Sequence, residues 1–385
     1  MRSTRSRSLV GALLLTVCVV ALWQGCGGGG GGSSQGQPTA GPPVTQPGAR
    51  NTPTPTPAVA ETPGGPDMII VQPGGDIAAA ARNASDGAIV VVAPGTYRAV
   101  VLNPGDLQGS LTLFADVTGE FTNNGPAPVT IVGRSTDVAA FEAFSQSALF
   151  IDGFTLRGGT DAGVLFGDSS GITIQDCTVT GSGGDAVRFE RSDDVLVFNN
   201  LLTNNKGTGV IALGTTNMQI INNTIYNSAG DGILLSLDEN QKASTNAFVT
   251  NNILQKNTPA GISVDPGPPS SLDGLAANFN LNTNGYDGTV AGPNDIAADP
   301  LFIFPAGGDF HVAPSSRAVD GGTDGIDADL VNQLEQLSTQ TDGTLDTVPL
   351  DLGYHYVPPI PTPTKVPKPT RTSTPRATST PTRTG

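Results

Sequence analysis

The lines LFIDGFTL (Leu149–Leu156), ITIQDCTV (Ile172–Val179), VLVFNNLL (Val195–Leu202) and MQIINNTI (Met218–Ile225) follow one another every 23 residues. AFVTNNIL (Ala247–Leu254) repeats the line after six extra residues. A second column, Gly163, Ala186, Gly209, Gly232 and Gly261, keeps the same offset, and an apolar-x-apolar triplet follows each member. Two columns that hold register through one insertion identify an internal repeat, which outranks any single motif. The apolar alternation within each line has period two, and 23 residues hold two or three short strands with their turns. Helical repeats usually need about 33 residues or more. The repeat therefore predicts coils of a parallel β-solenoid stacked about 4.8 Å apart.

The columns assign roles within a coil. Ile172 and Ile174, Val195 and Val197, and Met218 and Ile220 point inward. Asn200, Asn223 and Asn252 share a turn column and can hydrogen-bond up the stack, whereas Phe154 and Cys177 hold that column in the earlier coils. The glycine column marks a bend that a Cβ would crowd. Upstream, MIIVQ from Met68, AIVVVAPGTY from Ala88, AVVLNP from Ala99, LTLFAD from Leu111 and VTIVG to Gly133 read as strands. Between the first two, DIAAAARNA (Asp76–Ala84) reads as a helix with Asp76 at its N-terminus, placed to cover the open apolar end of the first coil.

Composition bounds the function. Of the chain's 34 acids and 19 Lys and Arg, 33 and 10 fall in residues 67–360, a local charge of −23. Such a surface is unsuited to nucleic acid and fits solubility, or cations in an extracellular setting. Three cysteines make no disulfide framework, and Cys177 reads as a small buried hydrophobe. Residues 1–25 read as an export signal, with Arg2, Arg5 and Arg7 before the apolar run Leu9–Trp23. Gly25-Cys26 resembles the cleavage box of bacterial lipoproteins, which implies lipidation of Cys26 and a membrane contact through that anchor alone, although Trp23 stands where that family prefers Leu. Residues 26–66 are a Gly then Pro/Thr linker, and 359–385 are a Pro/Thr tail with five basic residues.

The NN-[TI]-[IL] lines (Asn199–Leu202, Asn222–Ile225, Asn251–Leu254), Asp231–Ile233 and VAPGTY (Val92–Tyr97) resemble the right-handed parallel β-helix, or pectin-lyase-like, superfamily. The stretches Ala298–Gly322 and Thr341–Val357 resemble the closing module of bacterial surface β-helix proteins. The resemblance implies an all-β fold: a right-handed parallel β-helix over residues 67–297, an N-terminal capping helix and a C-terminal closing module over 298–358. It also implies that His311 and His355, both in that module, are structural.

Enzymes of this superfamily act mostly on acidic polysaccharides, using a cation with an Arg or Lys base, or paired carboxylates. Asp185 and Asp231 precede the glycine column two coils, about 10 Å, apart. With Arg188 and Lys206 they form a candidate catalytic patch. Asp before Gly is also ordinary turn chemistry, and a lone Arg often lays its stem over apolar neighbours. The outward column Leu165, Arg188, Ile211, Leu234, Ser263 is mostly apolar, which predicts cover by the insertion Asp238–Ser244 or by the C-terminal loop. Asp320, Asp324, Asp342 and Asp346 are candidate Ca²⁺ ligands, Asp342-Gly343 and Asp346 resembling part of a DxDGxxD loop that opens on Gln340. These features point to an extracytoplasmic, lipid-anchored surface protein that binds or scaffolds polysaccharide. A polysaccharide lyase or glycoside hydrolase, or a structural adhesin, are the alternatives.

Overall fold

The structure is a computed structural model and describes residues 66–265 and 267–358. The export signal, Cys26, the linker up to residue 65 and the tail lie outside the described residues. Each coil lays one strand in each of three parallel sheets, A, B and C in chain order. For one coil these are Ser170–Gln175, Thr178–Thr180 and Asp185–Glu190. Sheet A has nine strands and sheets B and C eight each. Ile172 pairs with Leu149 on one side and Val195 on the other, so the 23-residue spacing of the sequence is the register itself.

Inward side chains from all three sheets fill one continuous core. Phe166 packs between Phe141 and Phe189, with ring centroids 5.9 and 5.5 Å away. Polar ladders tie the three corners of the coils. Between sheets A and B, Asn200, Asn223 and Asn252 each donate a backbone N–H to the Oδ1 of the next member, at 2.9, 2.9 and 3.1 Å, and the ladder ends on Asn280, which lies beyond the aligned lines. Between B and C, Ser182 donates to Asn205, and Ser228 to Asn257. Between C and A, Ser169, Ser192, Thr215 and Ser244 stack in the same way. Each ladder satisfies corner N–H groups that would otherwise be buried unpaired. The glycine column behaves as expected: a Cβ on Gly209 would come 2.3 Å from Ile225 and 2.5 Å from the Gly232 carbonyl.

Helix α1 (Ile77–Arg82) is capped by Asp76, whose side chain accepts the Ala79 N–H at 3.0 Å. Its buried Ile77, Ala78 and Ala81 join the solenoid core and close the first coil. The C-terminal segment does not behave as an end plug. It runs back along the side of the solenoid. Helix α2 (Ala328–Leu334) sets Leu330 and Leu334 on the outward Phe198 and Ile221 of sheet A. Phe310, Tyr354 and Tyr356 pack on Leu201 and Tyr226 of sheet B. In the outward column of sheet C, Leu165, Ile211 and Ser263 are buried, but the C-terminal segment, one of the two expected covers, lies on sheets A and B. The C-terminal segment takes sheets A and B because their outward positions Phe198, Ile221, Leu201 and Tyr226 are large and apolar. The insertion closes on itself, with Leu237 bridging Ala243 and the Asp238 carboxylate accepting the Asn240 and Lys242 N–H groups at 2.9 and 2.8 Å.

Candidate functional site

Asp185 opens a strand of sheet C, and Arg188 lies three residues along it, between Leu165 and Ile211 in the outward column. The structure brings these two together: Arg188 Nη1 is 3.4 Å from Asp185 Oδ2. Arg188 Nε donates to Glu190 Oε1 at 2.6 Å. The other Asp185 oxygen accepts the backbone N–H of Thr208, on the next coil, at 2.7 Å. Burial pushes the Asp185 carboxyl up, opposed by that N–H and by the Arg188 charge. Asp231 repeats the arrangement two coils on, accepting the Ala260 N–H at 2.9 Å. Both carboxylates thus serve the stacking of one coil on the next. Lys206 is exposed at the corner between sheets B and C, and its ammonium forms no ion pair among the described residues.

A larger network continues from the patch. Arg191 grips Asp168 with two bonds, 2.7 and 3.0 Å, and donates to Glu239 of the insertion at 2.7 Å. Glu190 lies 3.7 Å from Arg191 and links it to Arg188. Asp168 and Arg191 are 23 residues apart, so the period that revealed the coils also points to this bidentate pair.

The four candidate Ca²⁺ ligands are not brought together, and that expectation is corrected. Asp320, Asp324 and Asp342 are exposed, whereas Asp346 is buried and committed. Asp346 Oδ2 faces His355 Nε2 at 2.7 Å, and its oxygens accept the Asp351 N–H at 3.0 and 3.2 Å. Asp342 accepts the Thr344 N–H in its own turn. Among the described residues, no group of three or more His, Cys, Asp or Glu side chains is disposed to hold a metal ion. The DG-containing loop is built as turns, which use the same residue types as a cation loop.

His355 is fully enclosed, with Nδ1 at 2.9 Å from the Gly353 carbonyl. Its backbone N–H donates to Asn199 Oδ1 at 2.6 Å, while Asn199 Nδ2 donates to the His355 carbonyl and to Asp176. Asp176 lies beside Asp152, whose Oδ2 is buried without a partner. Burial, reinforced by the Asp176 charge, holds Asp152 well above the carboxylate range. Burial raises Asp176 to about 6, with the Asn199 bond and the His355 charge opposing. His311 sits at 2.6 Å from Asp309 and stacks on Tyr356 at 3.8 Å.

Residues 139–291 match the family described as right handed beta helix region. No curated protein matches the sequence. Among solved structures, an alginate lyase from a Paenibacillus species is 15% identical over 52% of this chain and 81% of that one, with a TM-score of 0.37. The A-module of a mannuronan C-5 epimerase from Azotobacter vinelandii is 14% identical over 54% of this chain and 64% of that one, with a TM-score of 0.29. A pectate lyase is 11% identical over 74% of this chain and 95% of that one, with a TM-score of 0.34. The stacked coils and the family match define a right-handed parallel β-helix. Within that class, this chain carries a C-terminal segment folded back over sheets A and B.

Proposed function

We propose that the protein is exported, anchored through a lipid on Cys26, and binds polysaccharide along the faces of its solenoid without cutting it. One observation carries the non-catalytic part. Asp185 and Asp231 each spend an oxygen on the backbone N–H of the next coil, and Arg188 is held by Glu190. A general acid or base must reach a substrate proton, and a carboxylate locked into the coil stack is poorly placed for that. Supporting the binding part are flat sheets several coils long, whose rungs repeat about every 4.8 Å and suit an extended polymer.

A lyase is the second reading. Sheet C is free of the C-terminal segment, and Arg188 keeps 31% of its side chain exposed there. Incubation of the full chain with acidic polysaccharides separates the two. Retention of the polymer, with no rise in unsaturated or reducing-end products, is the expected result. Product formation abolished by Arg188→Ala would establish the lyase. Anchoring is tested by labelled palmitate, expected to enter the wild type and to be absent from Cys26→Ser.

A further inference from the structure

On sheet B the C-terminal segment packs Tyr354 and Tyr356 at the coil of Leu201, and Tyr354 also reaches Asp176 and Asp152 at the corner with sheet A. In the earlier coils Thr96, Arg98 and Arg157 are exposed on the outward side of sheet B. Thr96, Thr130, Thr155 and Thr178 stand in one column there, each the register partner of the next. Thr96 is exposed and the other three half-buried. Adjacent hydroxyls are therefore one rung, about 4.8 Å, apart. In the neighbouring outward column Arg98 and Arg157 flank Val132, two rungs or about 10 Å apart.

Both arginines are exposed, and neither guanidinium forms a hydrogen bond or ion pair among the described residues. Arg82, Arg188 and Arg191, by contrast, are each tied to a carboxylate. From Thr96 to Thr180 the outward positions of sheet B carry no acid. Asp152 and Asp176 lie at the corner with sheet A, where burial raises both carboxyls, and Asp137 and Asp161 lie at the corner with sheet C. In a body with 33 acids and 10 bases over residues 67–360, this strip presents two arginines and no acid at its outward strand positions.

The chemistry of the strip selects an occupant. A guanidinium presents a planar fork that takes a carboxylate in two parallel bonds. Hydroxyls both donate and accept, which matches sugar hydroxyls. Two cations a disaccharide's length apart beside a row of hydroxyls fit a polymer carrying carboxylates at intervals. At one end Tyr354 and Tyr356 meet edge to face at 4.7 Å, with the Tyr356 ring stacked on His311. Nucleic acid fits less well, because the row lacks interleaved aromatic rings and the rest of the body repels a polyphosphate.

We propose that the N-terminal half of sheet B is a ledge that binds acidic polysaccharide, with Arg98 and Arg157 holding carboxylates and the threonine row holding hydroxyls. The proposal rests on the polysaccharide-binding reading above and names its place and ligand class. Calorimetric titration of the full chain with polygalacturonate, alginate, neutral dextran and single-stranded DNA tests it, using wild type, Arg98→Ser/Arg157→Ser and a charge-matched Arg317→Ser/Lys242→Ser control. The wild type is expected to prefer the two polyuronates. The ledge variant should lose roughly tenfold or more in affinity, as for two charge-assisted contacts. The control should stay near wild type. Circular dichroism melts of all three proteins should coincide, since the substituted side chains are exposed. Undiminished polyuronate binding by the ledge variant, or dextran bound as tightly as polyuronate, overturns the ledge and leaves polysaccharide binding standing. DNA bound as tightly as polyuronate overturns the sugar assignment. No binding to any polysaccharide overturns both the ledge and the reading beneath it.

Discussion

At the corner between sheets A and B, adjacent side chains do different work. Asn223 points inward, accepts from both the backbone and the side chain of Asn200, and donates to the Val197 carbonyl. Asn223→Ala leaves the buried Asn200 N–H unpaired and should cost about 2–4 kcal/mol in denaturant unfolding. Asp176 and Asp152 lie at the same corner two and three coils back. Because folding raises both carboxyls above their ordinary value, the pair contributes most at pH below about 4, where both are protonated in either state. That contribution is lost as pH rises through about 6. Melts from pH 4 to 8 should show this loss, and Asp152→Asn should flatten the slope and raise the melting temperature at pH 8. Asp185→Asn tests the role assigned on sheet C. The amide oxygen can still accept the Thr208 N–H, so stability should change by less than about 1 kcal/mol, whereas Asp185→Leu should cost about 1–3 kcal/mol.

Among the elements, α2 and the loops around it depend on the solenoid for their core. Leu334 is fully buried between sheet A and its own segment. Leu334→Ala should destabilise that docking by about 2–4 kcal/mol. Hydrogen exchange should then quicken in residues 298–358 while the central coils keep their protection, because contacts in a solenoid are mostly between neighbours. This contrast also explains what could be read from the sequence. Stacking forces like chemistry onto positions 23 residues apart, so strands, corners and the asparagine ladder were legible as columns. The docking of the C-terminal segment has no period. Its bonds join residues 129 and 156 positions apart, as from Asn222 to Asp351 and from Asn199 to His355, and nothing local in either partner announces the other. The patch on sheet C was half legible: Arg188 beside Asp185 followed from one strand, but the commitment of Asp185 and Asp231 to backbone N–H groups appears only when the coils are stacked.

For the whole molecule, shape and charge act together. Inward positions fill the core, corners carry the ladders, and the C-terminal segment covers parts of sheets A and B, so that Arg188 on sheet C and Arg98 and Arg157 on sheet B are among the outward side chains that reach solvent. A strongly acidic body stays soluble and resists nonspecific polyanions, so an anionic polymer that does bind must find the few unpaired cations. The molecule is proposed to bind a polyuronate without turning it over. Size-exclusion chromatography with light scattering of the full chain mixed with a polyuronate reads both halves of that proposal in one trace. Protein should elute with the polymer, and the polymer's mass should be unchanged after prolonged incubation. Protein eluting alone, or polymer mass falling with time, would contradict the proposal.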